Sequence, residues 1–392
     1  MCAQLLESLK LKTDDAIEEA IAWLLKMQVK SGNFQGGFLR GLNFGWFPSG
    51  TPLIYTEITG YGLKTLVNFL TEGKSDFETR AKAAAGFLLK VQSDTGPFAH
   101  GAYYEQKKPI DTYYTFDTAI CTSALLDFYR IEPNNNFLQS SKKAGYWLVE
   151  VAQNDDGSFM SKYEGGKFVR ESKWYGDRCC LHGKNIIALL KLWENTNESM
   201  FKSSAEKVAN WVASLQLENG AFKVNSNENY VFTHAHCYVI EGLLYAYHVT
   251  GKKDYLSSTL KAAKWLIDVQ EENGGLYESY GDFPLTKRMQ NGLFPIRMER
   301  IDVVAQAIRI WAALYSLTAD ASFLNSAYKA ADFLLKAQFK KENPTFNGGF
   351  FQQMNSLLRL PIMRTWSCIF SIHALSILKR LSNFDQIMQE IM

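Results

Sequence analysis

Trp147-Leu148-Val149-Glu150-Val151-Ala152-Gln153-Asn154-Asp155-Asp156-Gly157-Ser158-Phe159 is one statement of a phrase that this chain makes six times. An amphipathic stretch runs to an aromatic, two apolar residues and then Gln. A Gly-containing turn and an apolar residue, usually aromatic, follow. The other copies are Trp23-Leu24-Leu25…Gln28…Gly32-Asn33-Phe34, Phe87-Leu88-Leu89…Gln92…Gly96-Pro97-Phe98 and Trp211-Val212-Ala213…Gln216…Gly220-Ala221-Phe222. Trp265-Leu266-Ile267…Gln270…Gly274-Gly275-Leu276 is the fifth, and Phe333-Leu334-Leu335…Gln338 the sixth, with a longer loop to Gly348-Gly349-Phe350. The glutamines stand 64, 61, 63, 54 and 68 residues apart. A period of that size means stacked supersecondary units.

Each period holds two helices. The first runs into the phrase, over 15–28, 79–92, 139–153, 201–216, 255–270 and 323–338, with charge on one face and Trp, Leu and Ala on the other. The second covers 57–70, 116–130, 182–193, 234–248, 301–317 and 366–381, and stretches such as Ile186–Leu190 are apolar nearly all round. Such helices are buried. The expectation is an all-α fold, an (α/α)6 toroid with six parallel inner helices inside six outer ones. The first and last copies are as apolar as the middle ones, whereas an open solenoid needs polar caps, so the ring closes. No Pro/Ser-rich linker interrupts it, and one domain spans 1–392.

The net charge of +2 provides no basic field for nucleic acid. No apolar run is long enough for a membrane helix, and the first residues lack the pattern of a signal peptide. Six Cys in 392 residues are too few for a disulfide scaffold, which points to a reducing, cytoplasmic setting.

The long loops all join an outer helix to the next inner one, so they gather on one face over the inner-helix N-termini. Long loops on one face mark a binding surface, and helix N-termini favour anions and hydrogen-bond acceptors. The rim residues suit a sugar: acids and bases at Glu57, Asp117, His182, His234 and Asp302, with Asp177 and Glu299 as further carboxylates. Tyr55, Tyr114, Trp174, Tyr175, Arg178, Arg297, Arg300, Gln306 and Trp366 would bind it, rings stacking on pyranose faces and arginines pairing with acidic groups. Each has a plainer reading. Glu57 with Thr59, and Asp117 with Thr118, can be helix caps; the histidines and rings can be buried packing; the rim carboxylates can pair with the arginines. His248 and His373 lie deeper and read as core, and Asp155-Asp156-Gly157 as a turn.

Asp177, Cys179 and His234 are a conceivable zinc set, similar to the Asp-x-Cys plus His site of protein prenyltransferase β-subunits. The favoured expectation is no metal and no cofactor. The phrase also resembles the Gln-Trp motifs of squalene and terpene cyclases, but their Asp-x-Asp-Asp acid and the Asp-Asp-x-x-Asp diphosphate motif are absent from this sequence. Tyr55–Tyr61, Phe116-Asp117-Thr118, Leu181-His182-Gly183-Lys184, Thr233-His234, Ala305-Gln306 and Thr365-Trp366 resemble α/α-toroid proteins of exopolysaccharide and surface-glycan biosynthesis clusters. Those relatives carry Tyr-His-Ser-Arg at 181–184 and Asp-Thr-Gly-Gln at 117–120. At fold level the resemblance extends to six-hairpin glycosidases, polysaccharide lyases and glucuronyl C5-epimerases.

The resemblance and the rim together imply action on an oligo- or polysaccharide, with uronate units giving the arginines a role. Two reactions fit: hydrolysis between two carboxylates, or proton abstraction at C5 of a uronate. A non-catalytic glycan-binding toroid and a zinc-dependent prenyltransferase-like enzyme are the alternatives.

Overall fold

The computed structural model describes residues 2–43, 53–171, 173–281, 297–340, 343–355, 358–381 and 383–391. The outer helices are α1 (Cys2–Met27), α3 (Glu78–Val91), α5 (Asn135–Trp147), α7 (Ser199–Ala213), α9 (Lys253–Asp268) and α11 (Ala321–Lys336). The inner helices are α2 (Thr56–Thr71), α4 (Thr115–Ile131), α6 (Asn185–Thr196), α8 (Thr233–Thr250), α10 (Ile301–Thr318) and α12 (Thr365–Arg380). Each inner helix packs on the next, and α12 returns to α2, so the ring is closed. Small faces let the layers approach: Ala81, Ala84 and Ala85 of α3 are fully buried, as are Ala330 of α11 and Ala312 and Ala313 of α10. Trp23 and Trp311 are fully buried as well, and burying a large apolar side chain contributes about 1.5–3 kcal/mol.

The repeated phrase is the joint between units. In every copy the Gln side-chain amide donates to the carbonyl of its own turn glycine and to a carbonyl on the next outer helix. Gln92 reaches Gly96 and Ser140, Gln153 reaches Gly157 and Ser204, and Gln216 reaches Gly220 and Ser258. Gln270 reaches Gly274 and Ser326, and Gln338 reaches Gly348 and, across the seam, Ala16 of α1. In the first copy Gln28 reaches Gly36 and Arg80. The first turn is therefore Gly36-Gly37-Phe38, not Gly32-Asn33-Phe34. The reason is steric. Gly36 has φ +93°, and a Cβ there would lie 1.9 Å from the Ala83 carbonyl oxygen, whereas at Gly32 its nearest neighbour is the Tyr104 hydroxyl at 3.7 Å.

The long loops pair as short antiparallel strands between neighbouring units, which the sequence reading did not anticipate. Leu53–Tyr55 pairs with Gly101–Tyr103, Tyr113–Tyr114 with Lys162–Glu164, and Tyr230–Phe232 with Ser279–Gly281. Glu299–Arg300 pairs with Gln353–Met354, and Ile362–Arg364 closes the circle on Gly41–Asn43. These strands also cap the inner helices. The N–H groups of Thr56, Thr115, Thr233, Ile301 and Thr365 donate to His100, Ser161, Glu278, Gln352 and Arg40 carbonyls of neighbouring loops. No side-chain cap forms at α2 or α4. Thr59 and Thr118 instead accept from the N–H groups of Phe38 and Phe98, so Glu57 and Asp117 are not used as caps.

Beneath the rim the ring interior is filled in tiers. Tyr61, Phe116, Tyr238 and Phe370 form an aromatic floor, with Tyr61 and Tyr238 hydroxyls 3.1 Å apart. Below it lie buried charges on helices expected to be apolar. Lys191 donates to both Asp127 oxygens at 2.6 and 2.7 Å, and Lys64 lies 3.0 Å from Asp127. Lys184 donates to Glu241 at 2.7 Å, and Arg309 to the other Glu241 oxygen. Burial pushes Lys184 down to about 8 and Lys191 to about 7, against the pull of Glu241 and Asp127. His373 completes the tier, 3.0 Å from Thr65, and is core as expected. His248, a quarter exposed, faces Asp385 at 3.3 Å.

A further helix, α13 (Phe384–Ile391), stops the far end and was not foreseen. It packs on α8, α10 and α12. Lys64 and Asn68 donate to its Gln389 and Glu390 carbonyls at 2.5 and 2.9 Å. Ile391 helps to line a cavity of about 20 Å³ with Tyr61, Lys64, Lys184 and His373. No described helix is long and apolar enough to cross a membrane.

Candidate functional site

Five of the six inner helices carry a polar or aromatic candidate residue in their first turn. At α2, α8, α10 and α12 it is the second residue, Glu57, His234, Asp302 and Trp366; at α4 the Asp follows at the third position, Asp117. Glu57 and Asp117 sit on adjacent helices. Burial raises the Glu57 carboxyl well above its ordinary value; the Asp117 charge adds to this, and Tyr55 and Arg40 oppose it. Asp117 is also raised by burial, but His100 Nδ1 lies 3.0 Å from its Oδ2 and holds it back. Two close carboxyls cannot both ionise readily, so the pair holds a proton to higher pH than an isolated carboxyl would, with Glu57 raised the more.

His234, on α8, is three helices round the ring from Glu57 and so faces it. Burial lowers it to about 4, against Asp302, whose Oδ2 is 3.8 Å from Nδ1. Asp302 is itself clamped: Arg300 donates to both its oxygens at 2.8 and 2.7 Å, and Val303 N–H adds a third bond. Burial alone would raise Asp302, but Arg300 and His234 outweigh it and the carboxyl is lowered. Gln306 stands beside His234, yet both its amide atoms and His234 Nδ1 lack an aligned partner, as does Trp366 Nε1. Buried polar atoms without partners are costly, and these gather at the mouth of the ring.

Rings run round this mouth. Trp366 and Tyr55 are 6.3 Å apart, Tyr55 and His100 4.6 Å, His100 and Tyr114 4.9 Å, and Tyr114 and Tyr175 6.2 Å. Trp174 follows at 5.3 Å, stacks on Phe232 at 4.1 Å and meets His234 at 5.9 Å. The guanidinium of Arg300 lies over Trp174. Burial pushes the Tyr55 and Tyr114 hydroxyls up, so both stay neutral donors.

Other expected rim residues lie elsewhere. Arg178 is exposed and pairs with Asp156 of the third turn at 2.6 Å. Arg297 is exposed and rests on Tyr277 and Tyr280. His182 packs on Phe159 and lies 3.4 Å from Asn185, and burial lowers it to about 3. Glu299 accepts from Asn273 at 3.0 Å. The zinc alternative is dispersed: Asp177 accepts from the Ser161 and Glu171 N–H groups, Cys179 donates to the Trp174 carbonyl, and His234 turns to Asp302. Among the described residues no three His, Cys, Asp or Glu side chains gather as a metal site.

The sequence reading overlooked Arg40, whose guanidinium lies 5.9 Å from the Trp366 ring centre. Its partner in the mouth is Arg364, 2.9 Å from Asn43 Oδ1. Only the pairing of the first loop with the last brings them together.

Solved structures share this architecture. A sugar epimerase from a ruminal bacterium superposes with a TM-score of 0.76 at 15% identity, covering 96% of this chain and 99% of that one. The cellobiose 2-epimerase of Bacillus thermoamylovorans gives 0.76 at 13% identity, over 96% and 100%. An unsaturated glucuronyl hydrolase from a Bacillus species gives 0.68 at 14%, over 94% and 97%. At such identities the likeness establishes the fold. No curated protein sequence matches the chain. The family comparison matches residues 1–277 to the prenyltransferase alpha-alpha toroid domain. With closed ring, repeated joint and family match in agreement, the chain belongs to the prenyltransferase alpha-alpha toroid domain family.

Proposed function

We propose that this protein acts on an oligo- or polysaccharide by proton transfer at a sugar carbon next to a carbonyl, as in epimerisation. The observation that carries this reading is the placement on opposite inner helices of Glu57, whose carboxyl burial raises, and His234, which burial lowers to about 4. Asp302, 3.8 Å from Nδ1, acts by its charge and favours the imidazolium that forms when Nε2 accepts a proton. His234 Nε2 takes the proton from carbon, the C–H pair moves into an enolate, and Glu57 returns a proton to the opposite face. Gln306 and Trp366 Nε1 supply hydrogen bonds, and Tyr55, Tyr114, Tyr175 and Trp174 supply ring faces. That structural neighbours include sugar epimerases supports the reading.

Hydrolysis between opposed carboxylates is less well supported. Both oxygens of Asp302 are occupied by Arg300 and its carboxyl is lowered, which makes it a poor base toward water.

The test is incubation in D2O with reducing oligosaccharides and uronate-ended oligosaccharides, read by proton NMR. Deuterium entering at the carbon next to the carbonyl, and lost in His234→Asn and Glu57→Gln, is the expected result. New reducing ends without carbon exchange would make the protein a hydrolase. Binding with neither would make it a glycan-binding toroid.

A further inference from the structure

Arg40 and Arg364 come from opposite ends of the chain, yet the antiparallel pairing of Ile362–Arg364 with Gly41–Asn43 puts Arg364 opposite Gly41. The Thr365 N–H bonds the Arg40 carbonyl at 3.1 Å, which fixes the two backbones together at the start of α12. Arg40 lies over Trp366, and Arg364 donates to the neutral Asn43 amide oxygen. Burial and the neighbouring Arg40 charge push Arg364 down to about 10. Among the described residues no carboxylate forms an ion pair with either guanidinium. The nearby carboxyls are the Glu57–Asp117 couple, both raised by burial, with Asp117 hydrogen-bonded to His100. Trp366 Nε1 and Ser367 Oγ, beside the pair at the first turn of α12, are buried without partners.

Two adjacent like charges repel, and among the described residues only the Glu57 carboxyl, which Arg40 feels without forming an ion pair, stands to offset them. By contrast, Arg300, Arg309, Lys184 and Lys191 each have a carboxylate. An oxyanion between the guanidiniums would relieve the repulsion and accept from both, and guanidinium suits carboxylate and phosphate through paired, charge-assisted bonds.

We propose that Arg40 and Arg364, with Trp366 Nε1, form an oxyanion subsite at the mouth of the ring, so that the substrate is a sugar carrying a carboxylate or phosphate. This rests on the reading of the mouth as a sugar site. It also moves the acidic group away from Arg178, Arg297 and Arg300, each of which is engaged elsewhere. The subsite lies on the α2–α12 side, next to Glu57. A carboxylate held there would have its charge neutralised while the carbon beside it faces His234.

The experiment is calorimetric binding with three ligands of equal size: a glucuronate-ended disaccharide, its neutral glucose-ended counterpart and a phosphate-ended one. Wild type, Arg40→Gln and Arg364→Gln are compared, Arg40 being exposed and therefore tolerant of replacement. The expected result is anionic over neutral affinity on the order of 30-fold or more, abolished in either variant, with neutral affinity changed by a far smaller factor. Whichever anionic ligand binds tighter identifies the group. Equal affinity for all three overturns the subsite while leaving the sugar site standing. Inorganic phosphate alone reads the arginines without any sugar. If no sugar binds but phosphate does, and Arg364→Gln removes it, the subsite survives and the sugar reading fails. If neither phosphate nor the glucuronate ligand binds, the subsite is wrong.

Discussion

The side-chain amide of Gln338 donates at 2.8 Å to the carbonyl of Ala16, 322 residues earlier, and this is the bond by which the sixth unit grips the first. It repeats the bond that Gln216 makes to Ser258 in the middle of the chain. The seam is built like the other joints.

Replacing Gln338 with Ala should therefore cost about 1–3 kcal/mol, the usual cost of leaving buried backbone carbonyls unbonded. Gln216→Ala should cost at least as much, because Ser258 Oγ also loses its acceptor. Urea denaturation of the two variants beside wild type gives the comparison. A seam variant indistinguishable from wild type would mean that closure there is cosmetic.

Glu241 is fully buried between Lys184 and Arg309. Glu241→Gln keeps the shape but removes the charge that both cations need. Breaking a buried pair on one side typically costs about 3–5 kcal/mol. The expected outcome is a urea midpoint far below wild type, partly restored by adding Lys184→Met.

Acid should unfold the protein through its histidines. His182 and His236 are lowered to about 3 and His234 to about 4, all by burial. A depressed folded value means stability that is complete above the ordinary histidine value and lost as pH falls toward the folded one. Each histidine steepens the loss by up to about 1.4 kcal/mol per pH unit. Glu57 and Asp117, raised in the fold, work the other way and become less unfavourable as pH falls. Denaturation at pH 7, 6 and 5 measures the slope. His236→Thr, which keeps the acceptor for Phe222 that Thr59 and Thr118 provide in other units, should lessen it by one histidine's share.

Activity should fade on the alkaline side, as pH rises through the elevated Glu57 value and its proton is lost. Asp117→Asn removes the neighbouring charge that helps to raise Glu57. The alkaline limb of the pH profile should then move to lower pH. An unmoved limb would assign it to another group.

The ring was legible because its signal repeats. Six glutamines at near-regular spacing carry the same two bonds, and the helix starts they imply brought Glu57, Asp117, His234, Asp302 and Trp366 to attention. What stayed hidden depends on partners far away in sequence. Gly32 and Gly36 both precede an aromatic, and only the approach of Ala83 distinguishes them. Lys191 and Asp127 are single charges in apolar helices, 64 residues apart, and no helical period reveals that they meet. Arg40 and Arg364 become neighbours only when the last loop pairs with the first.

The helix across the far end of the ring has a consequence for traffic. With Lys64 and Asn68 bonded to its last carbonyls and Ile391 inside, the ring is a cup rather than a tunnel. A polymer cannot be threaded through a cup. Under the proposed function, a saccharide that reaches Glu57 and His234 enters and leaves through the same mouth.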